Sequence, residues 1–299
     1  MRSGPASAVE DLIKEQSGSW PLLVQSLQGL HDSRTRRVRI DWYDVLIRHI
    51  PHRIASTTAK VDAASIQKRA CFLCRSNLPP EEKGVALDSQ FTAYCNPFPI
   101  LEKHLTIVHN DHRPQAIAGF VGALLHLTQV LPGYFLIYNG PECGASAPDH
   151  MHFQACAREV FPIEQDAKHA GLFIPRYGRR VFVLRDTDAV RVAARLERLI
   201  SVLADITGKR PEPLINIAGF YEAGWTLFVF PRSRHRPHVY ETGELTVSPA
   251  TIDLSGVFVV PKSADFDRIT ADDVLSIFGE VTLGEEAFNS ALNQLEAMK

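Results

Sequence analysis

The chain has 299 residues, 45% of them apolar and 22% charged, with a formal net charge of −2. That composition is a globular protein's, with room for a large core in one or two domains, and its near-neutral balance argues against general attraction to nucleic acid or an anionic membrane. No stretch has the roughly 20 apolar residues of a membrane span, the N-terminus lacks the apolar run of a secretory signal, and five cysteines do not form a disulfide framework in a chain of this size. A reducing cytoplasm is therefore the expected setting, where paired cysteines point to metal and single ones to packing.

Residues 1–35 read as a helical lead-in, and 36–66 as a mixed segment in which Trp42, Tyr43, Val45, Leu46 and Ile47 pack. Cys71-x-x-Cys74 opens a loop that runs through Pro79-Pro80. Residues 91–94 and 104–109 read as strands separated by the turn-rich Asn96-Pro97-Phe98-Pro99. Asp111 is a good N-cap with Pro114 in the first turn, and Ile117, Phe120, Val121, Leu124, Leu125 and Leu131 recur near helical spacing. Pro132-Gly133 ends that helix. A strand follows over 134–138, then a turn rich in small residues, then alternation through His150, His152 and Gln154. The second half adds a strand over 181–184, an amphipathic helix over 190–206 and a hairpin of 214–218 with 225–230. A basic loop over 231–238, a strand over 257–260 and a helical end from Ala271 complete the chain. Strands follow strands with few strand–helix–strand units, which predicts an α+β fold with mostly antiparallel sheet.

The chemistry concentrates at His150-Met151-His152-Phe153-Gln154. On a strand, residues two apart share a face, so the two imidazoles and the amide are expected in one row. A neutral imidazole can attack an electrophilic phosphorus, and an amide N–H can bind a phosphoryl oxygen without adding charge. The preceding turn carries Gly144 and Ser146, whose backbone N–H groups are placed to receive developing negative charge. Cys71 and Cys74 are half of a zinc site, and His104, His109, His112 and His150 are the imidazoles available to complete it. Two inert packed thiols are the other reading. In the loop after 225–230, Arg232 or Arg236 is expected over a phosphate or sugar phosphate. Cys143, beside Gly144, has no evident partner base and is expected to pack, as are Cys95 and Cys156.

The run from Asn139 through Gly144 and Ser146 to His150-x-His152-x-Gln154 resembles the active-site segment of the galactose-1-phosphate uridylyltransferase branch of the histidine-triad superfamily. That branch also holds diadenosine tetraphosphate phosphorylases and sugar-nucleotide phosphorylases. Hydrolase relatives carry a third His where this chain has Gln154. Residues 96–107, and Asn216 with residues 225–237, resemble further parts of the same fold, so the likeness spans roughly residues 70–260. It implies HIT-like antiparallel sheets with flanking helices, in two halves at 36–165 and 166–299, the second completing the substrate pocket. It implies that His152 is the nucleophile that becomes nucleotidylated and that Gln154 binds the transferred phosphate with help from Asn139 and Ser146. Structural zinc on Cys71, Cys74, His112 and His150 follows from the same likeness. Uridylyltransferases have Pro between the two His, where this chain has Met151; this departure leaves the phosphorylase reading open. The expected activity is nucleotidyl transfer from a sugar nucleotide or dinucleoside polyphosphate to phosphate or a sugar phosphate. Its rivals are a hydrolase of the same fold and a silent zinc-stabilised nucleotide-binding module. Either a homodimer or a monomer with an internal pseudo-dimer suits the two-halved organisation.

Overall fold

The computed structural model describes residues 4–59 and 61–297. Helices Pro5–Ser19 and Pro21–His31 lead in, each with proline in its first turn, where a missing N–H costs nothing. Val38 and Ile40, then Tyr43, Val45 and Ile47, are buried at period two, and the chain folds there into a hairpin of β1 (Arg34–Ile40) and β2 (Tyr43–His49). Sequence reading leaves this segment mixed. Four of the seven β1 residues are charged or polar before the first apolar one, so the alternation starts late.

The main sheet comprises β3 (Gly84–Ala86), β4 (Phe91–Cys95), β5 (Leu105–His109), β6 (Tyr134–Asn139), β7 (His152–Ala157), β8 (Phe182–Asp186), β9 (Ile215–Tyr221) and β10 (Trp225–Pro231). Its order is β3-β4-β5-β7-β6-β9-β10-β8, antiparallel throughout. The β6–β9 pairing is the seam between the halves and sets Asn139 opposite Asn216. In return, β11 (Val257–Val260) pairs in parallel with β2, so each half lends a strand to the other's sheet. The fold is α+β, as its strand-after-strand sequence predicts.

One face of the main sheet, with Ile107, Leu136 and Phe153, packs on helices Val121–Val130 and Ala189–Thr207. In the longer helix Val192, Leu196, Leu199 and Leu203 form the buried stripe, and the Asp188 carboxylate caps it by accepting from the N–H groups of Val190 and Arg191 at 2.8 and 3.0 Å. The opposite face is covered over the second half by the β1-β2-β11 sheet, through Ile47, Phe135, Phe228, Phe230 and Phe258. The rest of that face opens as two clefts, one reaching Thr92, Tyr94 and Val108 and the other Gln154.

Two local expectations give way to tertiary structure. The helix expected from Asp111 starts at Val121 instead, after Phe120 and without a side-chain cap. Residues 111–115 run beside the turn before β7: Met151 N–H donates to the Arg113 carbonyl at 2.6 Å, and Gln115 N–H to that of Pro148 at 3.0 Å. These bonds fix the segment where a helix would have withdrawn it. The second difference is that β7 begins at His152, so His150 precedes the strand. Among the described residues no helix is long and apolar enough to cross a membrane.

Candidate active site and metal centre

Four side chains gather where the chain approaches β7. The ligand atoms of Cys71, Cys74, His112 and His150 all lie within 4.8 Å of one another. Cys71 Sγ is 3.3 Å from His150 Nδ1, Cys74 Sγ is 3.3 Å from His112 Nδ1, and Cys74 Sγ is 3.6 Å from His150 Nδ1. Tetrahedral zinc, with bonds of about 2.3 Å to sulfur and about 2.0–2.1 Å to nitrogen, needs ligand separations near these. His150 Nε2 lies 2.8 Å from the His109 carbonyl and can only donate to it, which leaves the Nδ1 lone pair facing the thiols. The set therefore fits a metal ion in ligand type, spacing and tautomer. Arg69 braces the loop: its guanidinium pairs with Asp149 at 2.5 Å and lies over Phe72 at 4.7 Å. The other two candidate imidazoles stand apart from the cluster. His104 contacts Gln154, and His109 packs edge-on against Phe91 and Phe120.

The cluster also bears on the next histidine. The His150 carbonyl accepts from His152 Nδ1 at 2.8 Å. A carbonyl cannot donate, so the neutral ring carries its proton on Nδ1 and its lone pair on Nε2. Burial, at 3% exposure, pushes the His152 pKa down to about 4, which keeps the ring neutral and nucleophilic near pH 7. Gln115, from the segment sequence reading makes helical, locks the backbone here. Its amide oxygen accepts from His152 N–H at 2.8 Å, and its N–H2 group donates to the carbonyls of His152 and Asn139 at 3.0 and 2.8 Å.

Beyond His152, Gln154 and Asn139 line one cleft with Gly144, Ser146, Arg53 and Arg236. Asn139 Oδ1 is engaged, accepting from Asn216 Nδ2 at 2.8 Å and Thr251 N–H at 3.1 Å, with the single Thr251 hydroxyl proton shared between it at 2.6 Å and the Tyr138 carbonyl at 3.0 Å. Its N–H2 group is thus the half left for a ligand. Gly144 has φ +98°, and a Cβ there would lie 2.7 Å from that of Ala250, so the wall needs glycine. Arg236 holds the far rim: it donates to the carbonyls of Thr57 and Ala59 at 2.9 and 3.0 Å and to Ser248 Oγ at 3.2 Å, and lies over Tyr240 at 4.4 Å.

Arg232 lies behind the cleft instead of in it. It is 1% exposed and donates to Asn216 Oδ1 and to the carbonyls of Val281, Arg234 and His235. Guanidinium, Asn216 and Asn139 form a relay across the seam. Cys143 is buried, which pushes its thiol up to about 11, and its carbonyl accepts from Asn216 Nδ2 at 2.8 Å. It packs. The residues sequence reading passes over are single polar residues with no motif around them: Arg53 and Ser248 line the cleft, while buried Gln115 and Thr251 bond to His152 and Asn139 behind it.

A family profile described as "Domain of unknown function (DUF4922)" matches residues 12–157, and one described as "GDPGP1-like, C-terminal domain" matches residues 177–296. No curated protein sequence matches the chain. The two profiles fall one in each half of the chain, and the fold they share is α+β, antiparallel sheet flanked by helices. In structure the chain resembles yeast Ap4A phosphorylase Apa2. The complex of that enzyme with Ap4A aligns at TM-score 0.64 and 13% identity, over 95% of this chain and 99% of that one. The complex with AMP aligns at TM-score 0.59 and 14% identity, over 95% and 98%.

Proposed function

We propose that the chain is a nucleotidyltransferase of the phosphorylase type, acting on a sugar nucleotide or dinucleoside polyphosphate by double displacement. The reading rests on one observation: a neutral imidazole whose Nδ1 is held by the His150 carbonyl and whose Nε2 makes no hydrogen bond among the described residues. In the first step His152 Nε2 attacks the α-phosphorus, an N–P bond forms, and the P–O bond to the phosphorylated leaving group breaks. In the second step an oxygen of inorganic phosphate or a sugar phosphate attacks the same phosphorus and restores the imidazole. Gln154 and Asn139 supply N–H donors to the phosphoryl oxygens, with the Ser146 hydroxyl and the turn at Gly144 beside them. Arg53 and Arg236 offer cationic partners for the remaining phosphate. Val108, paired with His152 across β5 and β7, lines the other cleft, which supports a second space beside the nucleophile for one substituent of the phosphorus. Zinc on Cys71, Cys74, His112 and His150 is structural in this reading, with no open position for substrate. The expected setting is the cytoplasm.

The test is a screen of nucleoside diphosphate sugars and dinucleoside polyphosphates with and without phosphate. It is coupled to intact-protein mass spectrometry of quenched single turnovers. A nucleotidyl adduct that disappears in His152→Ala, with phosphate-dependent product, is the expected result. Undiminished turnover in His152→Ala would overturn the covalent step. Product formed equally without phosphate would make the enzyme a hydrolase, and binding without turnover would leave a nucleotide-binding module.

A further inference from the structure

His104 is a buried imidazole that neither the metal cluster nor the double displacement employs. Its two nitrogens are nevertheless both engaged, and the order of the bonds is forced. The Ile100 backbone N–H lies 3.2 Å from His104 Nδ1 and can only donate, so Nδ1 carries the lone pair. A neutral ring then bears its proton on Nε2, and Nε2 lies 2.7 Å from Gln154 Oε1. The Gln154 oxygen is therefore an acceptor already in use. Were the amide turned over, its N–H2 group would meet the His104 N–H donor to donor. Burial pushes His104 down to about 3, so the ring stays neutral and keeps this tautomer through the working range of most enzymes.

We propose that His104 is a positioning residue for phosphoryl recognition: it turns the Gln154 carboxamide one way, so that N–H2 and never the oxygen faces the transferred phosphate. The inference rests on the nucleotidyl-transfer reading above for what the amide binds, but the orientation itself is independent of it. An unconstrained glutamine presents either end to a ligand, and the oxygen repels a phosphoryl oxygen. A fixed one is preorganised and selects acceptor-only ligands. Gln154 and Asn139 then act alike from neighbouring strands on one face of the sheet, each with its oxygen already occupied. The site discriminates by hydrogen-bond polarity before any cation is involved.

The test uses His104→Phe, which keeps a ring without a donor, His104→Gln, which returns an N–H near the Nε2 position, Gln154→Ala and the His104→Phe/Gln154→Ala double variant. His104→Phe should lose roughly ten- to a hundredfold in kcat with a smaller change in KM, because the oriented donor acts on charge that develops in the transition state. His104→Gln should recover part of that loss. In the Gln154→Ala background the His104→Phe change should cost less than about twofold, since the group it orients is gone. Equal factors in both backgrounds, or His104→Phe within about twofold of wild type, would overturn the proposal in favour of plain packing. Nitrogen-15 NMR of the wild-type imidazoles reads the tautomer directly: a protonated Nε2 and an unprotonated Nδ1 are expected at His104, and the reverse sinks the proposal. That measurement needs neither turnover nor a foldable variant. A wild type inactive on every nucleotide but with the expected tautomer would refute the assigned reaction and leave the orientation standing.

Discussion

Arg232→Met separates two roles that a buried arginine beside the Gln154 cleft can have. Methionine roughly fills the volume and removes every donor. In the native chain this guanidinium serves Asn216 Oδ1 and three carbonyls, at Val281, Arg234 and His235, with 1% exposure. Individual hydrogen bonds to a charged group are worth about 1.5–3 kcal/mol each. Their sum overstates the loss, because the carbonyls at 234 and 235 belong to a loop that can rehydrate. Leaving a buried acceptor unsatisfied costs about 1–3 kcal/mol, and two of these, Asn216 Oδ1 and the Val281 carbonyl, set the expected destabilisation at about 3–5 kcal/mol. For a chain of this size that lowers the melting temperature by about 10 °C. Arg232→Lys should fall between, since an ammonium cannot reproduce the fork. Urea unfolding gives the free energy, and kinetics below the transition give the second effect. Once Asn216 is free to turn, the Asn139 oxygen keeps only its Thr251 donors and its polarity is less firmly set, so kcat should drop up to about tenfold, or about 1.4 kcal/mol. A Met variant as stable as wild type within about 1 kcal/mol, with a raised KM alone, would refute the relay and return the guanidinium to the substrate.

If the proposed metal is bound, its removal should lower stability and activity together, because His150 would supply a ligand atom while its carbonyl holds His152 Nδ1. Metal analysis before and after chelation, with Cys71→Ser as a partner, checks this; a metal-free protein of full activity would break the link. Acid should destabilise the fold through His104, whose proton binds near pH 3 when folded and near 6.5 when unfolded. The unfolded chain gains that proton first, so stability is intact above pH 6.5 and falls as pH drops towards 3. Between pH 6.5 and 5 the loss from this residue is about 2 kcal/mol, and His104→Phe should show that much less pH dependence in chemical denaturation. Buried Asp253, held up at about 6, works in the opposite sense in both proteins and cancels in the comparison. Gly144→Ala should cost about 1–2 kcal/mol from its positive φ alone, with a larger loss of kcat as the turn shifts away from Ala250; unchanged kinetics would free the turn from any role.

The architecture was legible wherever burial alternates with exposure over a whole element. The helix Ala189–Thr207 has an Asp cap, an apolar stripe and a terminal Gly208 in the left-handed region, all visible in sequence. The hairpin β9–β10 is equally explicit. The segment after Asp111 was not, because its helix signal is local while the bonds that override it, to Met151 and Pro148, are made with a distant turn. For the site, Cys71-x-x-Cys74 and the two histidines of the His-x-His pair stand at readable spacings, and the cluster brings together Cys71, Cys74, His112 and His150. Spacing cannot reveal that His150 turns aside to the thiols while His152 stays on the strand. Nor can it tell Arg232 from Arg236, which differ by four positions in a basic run and by complete burial in space.

The same geometry explains why the second half is needed although His-x-His-x-Gln occurs once in the chain. The first half carries the imidazole, the metal cluster, Gln154 and the His104 that turns it. Asn139 also belongs to the first half, yet every donor on its oxygen comes from the second, from Asn216 across the seam and from Thr251. Arg236 and Ser248 reach the cleft from the second half too, and Arg236 grips Thr57 and Ala59 of the first. With β11 paired to β2, neither half closes its own sheet system without a strand from the other. The second half is therefore a wall built onto the site. A chain divided near residue 165 would leave Asn139 free to turn its oxygen into the cleft even where His152 and the Cys71, Cys74, His112 and His150 cluster remained in place.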